Sequence, residues 1–135
     1  MSFSKRFAIA ALATFVATVP VCLQQANAQS DTIKRTPLQK FEVPNSNYGA
    51  VIGKAEIVSD VLVGRHTHPG PESGYVIEGS FTLYIDGEEP RVLNAGESYL
   101  VPANVIHDAK SGPDGATVIA TYIVENGQPL ASPAN

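Results

Sequence analysis

The chain has 135 residues, enough for one domain of ordinary size. Hydrophobic residues make up 44% of it and charged residues 16%, a balance that favours a packed globular core over a disordered chain. The formal net charge is −4, which argues against binding to a nucleic-acid backbone, because that interaction needs a basic face.

The first 28 residues have the features of a secretory signal peptide. Lys5 and Arg6 give a positive start, residues 7–23 form an apolar run, and small residues precede a cleavage point after Ala28. We therefore expect an exported protein, periplasmic or secreted, in which 107 of the 135 residues remain. A retained membrane anchor is the alternative, but the run is short for a span of about 20 residues.

Cleavage after Ala28 would change the chemistry of the chain. Cys22 is the only cysteine, so the mature protein would hold neither a thiol nucleophile nor a disulfide. Loss of Lys5 and Arg6 reduces the nine basic residues to seven against thirteen acidic ones, a formal charge of −6. The expected partner is a small-molecule ligand or substrate, with no nucleic acid and no membrane after cleavage.

The mature chain divides by composition into three parts. Residues 29–47 are polar and are predicted to form an extended N-terminal arm, and residues 126–135 a loose C-terminal tail. Between them, apolar and β-branched segments alternate with turn residues. Strands are predicted over 50–52, 55–58, 61–63, 73–77, 81–85, 91–93, 99–101, 105–109 and 117–124, with a loop over 111–115.

The spacing of these segments indicates an all-β fold. Phe81, Leu83 and Ile85 alternate with other residues and should share one face, and Asp86-Gly87 predicts a hairpin turn after them. Turn signals recur about every ten residues and no amphipathic helix is evident, a pattern typical of a β-sandwich or β-barrel.

Three histidines follow the leader, and two of them form His66-Thr67-His68. On a strand these two side chains lie on the same face, so both imidazoles can bind one ion. Glu72 follows a Pro-Gly-Pro turn, and a closed sheet would bring His107 to the same place. Imidazole and carboxylate together suit one divalent transition metal, Fe, Mn, Ni, Zn or Cu. The alternative is that His66 and His68 are a surface pair on a strand and that His107 is an unrelated core histidine.

The spacing around these residues resembles the first cupin motif. His66 and His68 are followed after three residues by Glu72, and after six more by Gly79. Asp60 stands where the motif has its first glycine.

The second cupin motif is matched by Gly96, Pro102 and His107. Asn104 replaces the inner glycine of the motif, and Asn also tolerates left-handed backbone. Ser111 replaces its final asparagine. Because these departures affect turns and not ligands, they concern loop geometry more than metal binding.

The resemblance covers about residues 48–125 and implies a small single-domain cupin of the exported bacterial, quercetin-dioxygenase-like type. Such a protein is an antiparallel double-stranded β-helix, or jelly-roll barrel, that often forms a homodimer. The resemblance also implies a metal site with dioxygenase, decarboxylase, lyase or isomerase chemistry. Because a carboxylate on a metal can loosen and take a proton from the substrate, our hypothesis is that Glu72 is both ligand and general base. The implied metal ligands are His66, His68, Glu72 and His107.

Two functions remain open at this point. The chain is either a metal-dependent enzyme, dioxygenase-like or a lyase or isomerase, or a non-catalytic metal-dependent ligand-binding or sensory module. Neither the substrate, the metal nor the oligomeric state follows from the sequence. The sequence also does not indicate which of five aromatic residues line a pocket: Tyr75, Phe81, Tyr84, Tyr99 and Tyr122.

Overall fold

A computed structural model describes residues 31–135, which form strands and connections without a helix. Within this range no helix is long and apolar enough to cross a membrane. The predicted signal peptide, with Cys22, lies outside the described residues. The strands are β1 (Ile33–Glu42), β2 (Tyr48–Ile57), β3 (His66–Thr67), β4 (Glu72–Ile85), β5 (Arg91–Asn94), β6 (Ser98–Val101), β7 (His107–Glu125) and β8 (Ser132–Pro133).

All the strands belong to one antiparallel sheet that curls on itself, so the predicted all-β class is confirmed. The strand order is β1-β2-β7-β3-β8, and β4 pairs with β5, β6 and β7. The long strand β7 is central: its second half pairs with β2, and His107 at its start pairs with His66 of β3. The curl lets β4 and β7 enclose the core.

The core lies on the concave face of β4, β6 and β7. Phe81, Leu83 and Ile85 are buried on one face, as their alternation predicted. Each buried side chain of this kind contributes about 1.5–3 kcal/mol. The other core residues of this cluster are Val76, Leu93, Tyr99, Val101, Ala116 and Val118.

Residues 111–115, predicted to form a loop, lie inside β7. The register of β7 against β4 shifts between Gly79, which pairs with Ala116, and Phe81, which pairs with Ser111. The intervening residues therefore form a bulge opposite Ser80. A bulge accommodates Pro113, which has no N–H for the ladder, so the turn-like residues bend the strand without ending it.

The N-terminal arm and the C-terminal tail are both part of the sheet. Strand β1 pairs with β2 from Ile33 opposite Ile57 to Glu42 opposite Gly49. Strand β8 pairs with β3. The sequence does not reveal these strands, because most residues of β1 and β8 are exposed and so lack a pattern of alternating burial.

The substitutions in the cupin motifs preserve the turns. Asp60 and Asn104, at two motif glycine positions, both adopt positive φ, 58° and 62°, a region in which Asp and Asn are enriched. Ser111 is buried, and its Oγ donates to Val58 O at 2.6 Å and accepts the N–H of Val61 at 2.9 Å. Ser111 therefore holds the connection before β3 against β7.

Candidate metal centre

Four potential metal ligands converge where β3, β4 and β7 begin. His66 is the first residue of β3 and lies opposite His107, the first residue of β7, while Glu72 is the first residue of β4. With His68, these residues offer ligand atoms that all lie within 4.8 Å of one another. The structure thus brings together all four residues that the sequence singled out.

Backbone carbonyls orient all three imidazoles in the same way. Each Nδ1 lies within hydrogen-bond distance of a carbonyl oxygen and therefore carries the proton, which leaves Nε2 with a lone pair. The Nδ1 contacts are His66 to Gly64 O at 2.6 Å, His68 to Leu130 O at 2.6 Å and His107 to Val105 O at 3.0 Å.

Two of the Nε2 atoms are buried and lack a hydrogen-bond partner. They belong to His68 and His107, and they lie 3.0 and 3.3 Å from the same Oε2 of Glu72. A lone pair facing a carboxylate oxygen in a buried site is unfavourable unless a positive charge lies between them. The donor set, three nitrogens and one carboxylate, therefore fits a divalent metal ion.

Glu72 is held in its ionised form. Burial raises the pKa of this carboxyl, but the hydrogen bonds that protonated His107 and His68 and the Tyr99 hydroxyl can donate outweigh burial and lower the pKa to about 2. The Tyr99 hydroxyl donates to Oε1 of Glu72 at 2.7 Å, leaving Oε2 for the histidines. Burial and the charge of Glu72 raise the pKa of Tyr99, which therefore remains a donor.

The site shifts the pKa values of His66 and His107 in opposite directions. Burial lowers the pKa of His66 and favours its neutral form, which is the form that binds metals. Burial acts in the same direction on the pKa of His107, but the hydrogen bond that its protonated form can donate to Glu72 outweighs burial and raises that pKa. A bound cation would replace the proton that this carboxylate otherwise attracts.

Tyr99→Phe should weaken metal binding by about tenfold, within the range for losing a partner that orients a ligand. The variant removes the hydroxyl that donates to Oε1 of Glu72 and orients this carboxylate. Competitive cobalt titration measures the effect. Tyr84→Phe is the matched control, because Tyr84 lies on the exposed face of β4. Equal affinity of Tyr99→Phe and the wild type would contradict the orienting role.

A cavity of about 630 Å³ adjoins the four residues. Its walls are mainly apolar, and Phe81, Tyr99 and Tyr122 are the predicted aromatics that line it, whereas Tyr75 and Tyr84 are exposed. The arm and the tail also contribute wall residues, which sequence reasoning missed. They are Ile33, Arg35, Thr36 and Pro37 from β1, and Leu130, Ala131 and Pro133 from the C-terminal segment.

Comparison with known proteins identifies the fold family. The Cupin domain family model matches residues 58–124. An RmlC-like cupin from Shewanella frigidimarina has 28% sequence identity over 71% of this chain and 79% of its own, with a TM-score of 0.57.

Two further solved structures share the fold at lower identity. KdgF from a Halomonas species has 22% identity over 67% of this chain and 78% of its own, with a TM-score of 0.53. The DMSP lyase DddQ from Ruegeria pomeroyi has 13% identity over 82% of this chain and 56% of its own, with a TM-score of 0.65. Among curated proteins, none matches this sequence. From the motif match, the all-strand fold and these neighbours, we conclude that the chain belongs to the cupin family, with one small cupin domain in the described residues.

Proposed function

We propose that this protein is a cupin enzyme that depends on one divalent transition metal and acts on a small molecule. The reaction class is either dioxygenase-like or that of a lyase or isomerase. One observation carries the proposal: three oriented imidazoles and one ionised carboxylate converge at the border of an apolar cavity. A cavity of about 630 Å³ matches the size of small-molecule sites.

The bound ion would supply Lewis-acid chemistry to an oxygen of the substrate. The protein contributes the apolar walls of the cavity around the substrate. Phe81, Leu83 and Val118 line the cavity with apolar surface, which excludes water and strengthens electrostatic interactions inside it.

Glu72 is the residue to which we assign proton transfer. Among the described residues it is the only acidic side chain that lines this cavity. Tyr99 holds its Oε1, so Oε2 is the oxygen that would hold the metal and, once loosened from it, would accept a proton from the substrate. One neighbour, DddQ, is a lyase, which is compatible with this role but at 13% identity supports the fold alone.

The first test is elemental analysis of the purified protein, for which we expect about one divalent ion per chain. Protein reconstituted with Fe, Mn, Ni, Zn or Cu is then screened for oxygen uptake with phenolic and dicarbonyl compounds. Absorbance changes with small unsaturated and hydroxy acids test for lyase and isomerase activity. Protein that binds no metal in any of these preparations would contradict the proposal.

In protein loaded with metal, Glu72→Gln should reduce turnover by about 100-fold or more, the usual contribution of a general acid or base. The matched control is Glu78→Gln, which changes an exposed carboxylate on the same strand. Full turnover of Glu72→Gln at full metal occupancy would rule out the assigned role. Metal binding without turnover of any compound would favour a non-catalytic binding module.

A further inference from the structure

A row of small residues crosses the inner face of the sheet beside the candidate metal centre. Four strands, β1, β2, β7 and β4, contribute one residue each, and the pairing register places them in line: Pro37, Gly53, Ala120 and Gly74. Paired residues share one face of a sheet, and this is the concave face because Ala120 is buried and lines the cavity. Neighbouring strands are about 4.8 Å apart, so the row is about 14 Å long.

Tyr99 of β6 closes the row at its β4 end. It pairs with Gly74, and a Cβ at Gly74 would overlap the Tyr99 ring, so the glycine allows this ring to lie across β4. The same tyrosine donates its hydroxyl to Glu72. At the other end, Pro37 stands on β1 at the edge of the sheet. The row therefore runs from an aromatic wall beside the metal ligands to a proline ring at the sheet edge.

Larger side chains flank the row on both sides. Two residues along the strands, roughly 7 Å away, Glu72 pairs with Tyr122, and Tyr122 pairs with Val51. Two residues in the opposite direction from Ala120, Val118 projects from β7 into the cavity. The space over Gly53 and Ala120 is therefore a slot, bounded on one side by the row that contains Glu72 and on the other by the row that contains Val118.

Neither the backbone nor the packing requires a glycine at position 53. The φ angle of Gly53 is not positive, and a Cβ there would come no closer than 3.9 Å to its nearest neighbour, the carbonyl oxygen of Thr36. The bulge at this point of the pairing belongs to β1, between Pro37 and Gln39, and β2 is regular. A glycine inside a strand costs stability and often marks a close approach of a ligand. The missing side chain of Gly53 therefore indicates space for a ligand.

We propose that this slot holds the apolar body of the substrate, of one or two rings in size, and that Gly53 sets the upper limit of that size. The inference rests on the proposed function, because it takes the four ligand residues to hold the metal that faces the reacting end of the substrate. Glu72 lies in the row next to the slot, so a group in the slot is continuous with that end. Burial of apolar area against Ala120, Val118 and Val51 supplies the affinity.

The test uses three probes that share one metal-binding group and differ in the size of the body. Acetohydroxamate, benzohydroxamate and 2-naphthohydroxamate are each titrated against the full chain loaded with cobalt, and the cobalt absorption spectrum gives the dissociation constant. The wild type should bind each larger probe roughly tenfold more tightly, because each ring buries more apolar area. Gly53→Val should abolish the gain for the naphthyl probe and leave the affinities for acetohydroxamate and for cobalt unchanged. Gly53→Ala, which adds one methyl group, should reduce the gain in part.

Ser73→Val is the control, because it enlarges an exposed residue of β4 that does not line the cavity. It should keep the preference for the larger probes. The inference would be overturned if Gly53→Val kept that preference, if Ser73→Val lost it equally, or if the wild type had no such preference.

A second titration separates the slot from the metal. If cobalt does not bind, 2-naphthol is titrated against the metal-free chain and its fluorescence is followed. Weaker binding to Gly53→Val than to the wild type would mean that the metal-dependent function fails and the slot stands. Equal binding to both chains, or no binding to either, would overturn the slot as well.

Discussion

The double variant His68→Ala/His107→Ala should lose its divalent metal. Both imidazoles are buried, and their Nε2 atoms lie near the same oxygen of Glu72 without a hydrogen-bond partner. Loss of an orienting partner of a ligand already costs about 10–100-fold in metal affinity, and loss of two ligands should cost more. Elemental analysis after reconstitution, and competitive titration with cobalt, measure the change.

Two controls accompany this variant. Thr67→Ala changes the residue between His66 and His68 and should retain one ion per chain. Thermal unfolding of the metal-free proteins should show that the double variant still folds, because it removes two unpartnered buried nitrogens and no core side chain. A folded double variant that keeps one ion per chain at wild-type affinity would contradict the metal centre.

Removal of residues 128–135 should weaken metal binding by about 10–100-fold. The segment supplies Leu130 O, which accepts the Nδ1 proton of His68 at 2.6 Å. It also supplies β8, where Pro133 pairs with His66. Without the segment, His68 loses the contact that orients it, and β3 is left with its single pairing between His66 and His107. Cobalt titration of the shortened chain measures the loss.

Leu130→Ala separates the two contributions of this segment. It shortens the side chain, which is 39% exposed, but keeps the carbonyl that accepts from His68. Its affinity for cobalt should therefore stay close to that of the wild type. If the shortened chain bound cobalt as tightly as the full chain, the C-terminal segment would have no part in orienting His68.

The ligand residues and the fold class follow from local patterns. Alternation along a strand places His66 and His68 on one face, and the turn at residues 69–71 returns the chain to Glu72. The same alternation correctly predicted the burial of Phe81, Leu83 and Ile85. These features depend on residues that are close in the sequence and can be predicted one strand at a time. His107 lies far along the chain, and the resemblance to the second cupin motif singled it out.

The surroundings of the ligands depend on which strands become neighbours. Tyr99 reaches Glu72 across 27 positions, and Leu130 reaches His68 across 62. The N-terminal arm and the C-terminal tail are mostly exposed, so neither shows the pattern of alternating burial by which a strand is recognised. For the same reason the sequence did not mark Arg35 as a residue of the cavity.

By itself, then, the sequence indicated the family and the four candidate ligand residues, through the spacing of two motifs, and the hairpin after Ile85, through its turn residues. The tertiary structure alone decided which nitrogen of each imidazole faces the site, which tyrosine donates to Glu72, and which charged residues line the cavity. Those properties arise from the register between strands and from carbonyl groups distant in the chain. The local propensities of the residues predict neither the register nor these distant contacts.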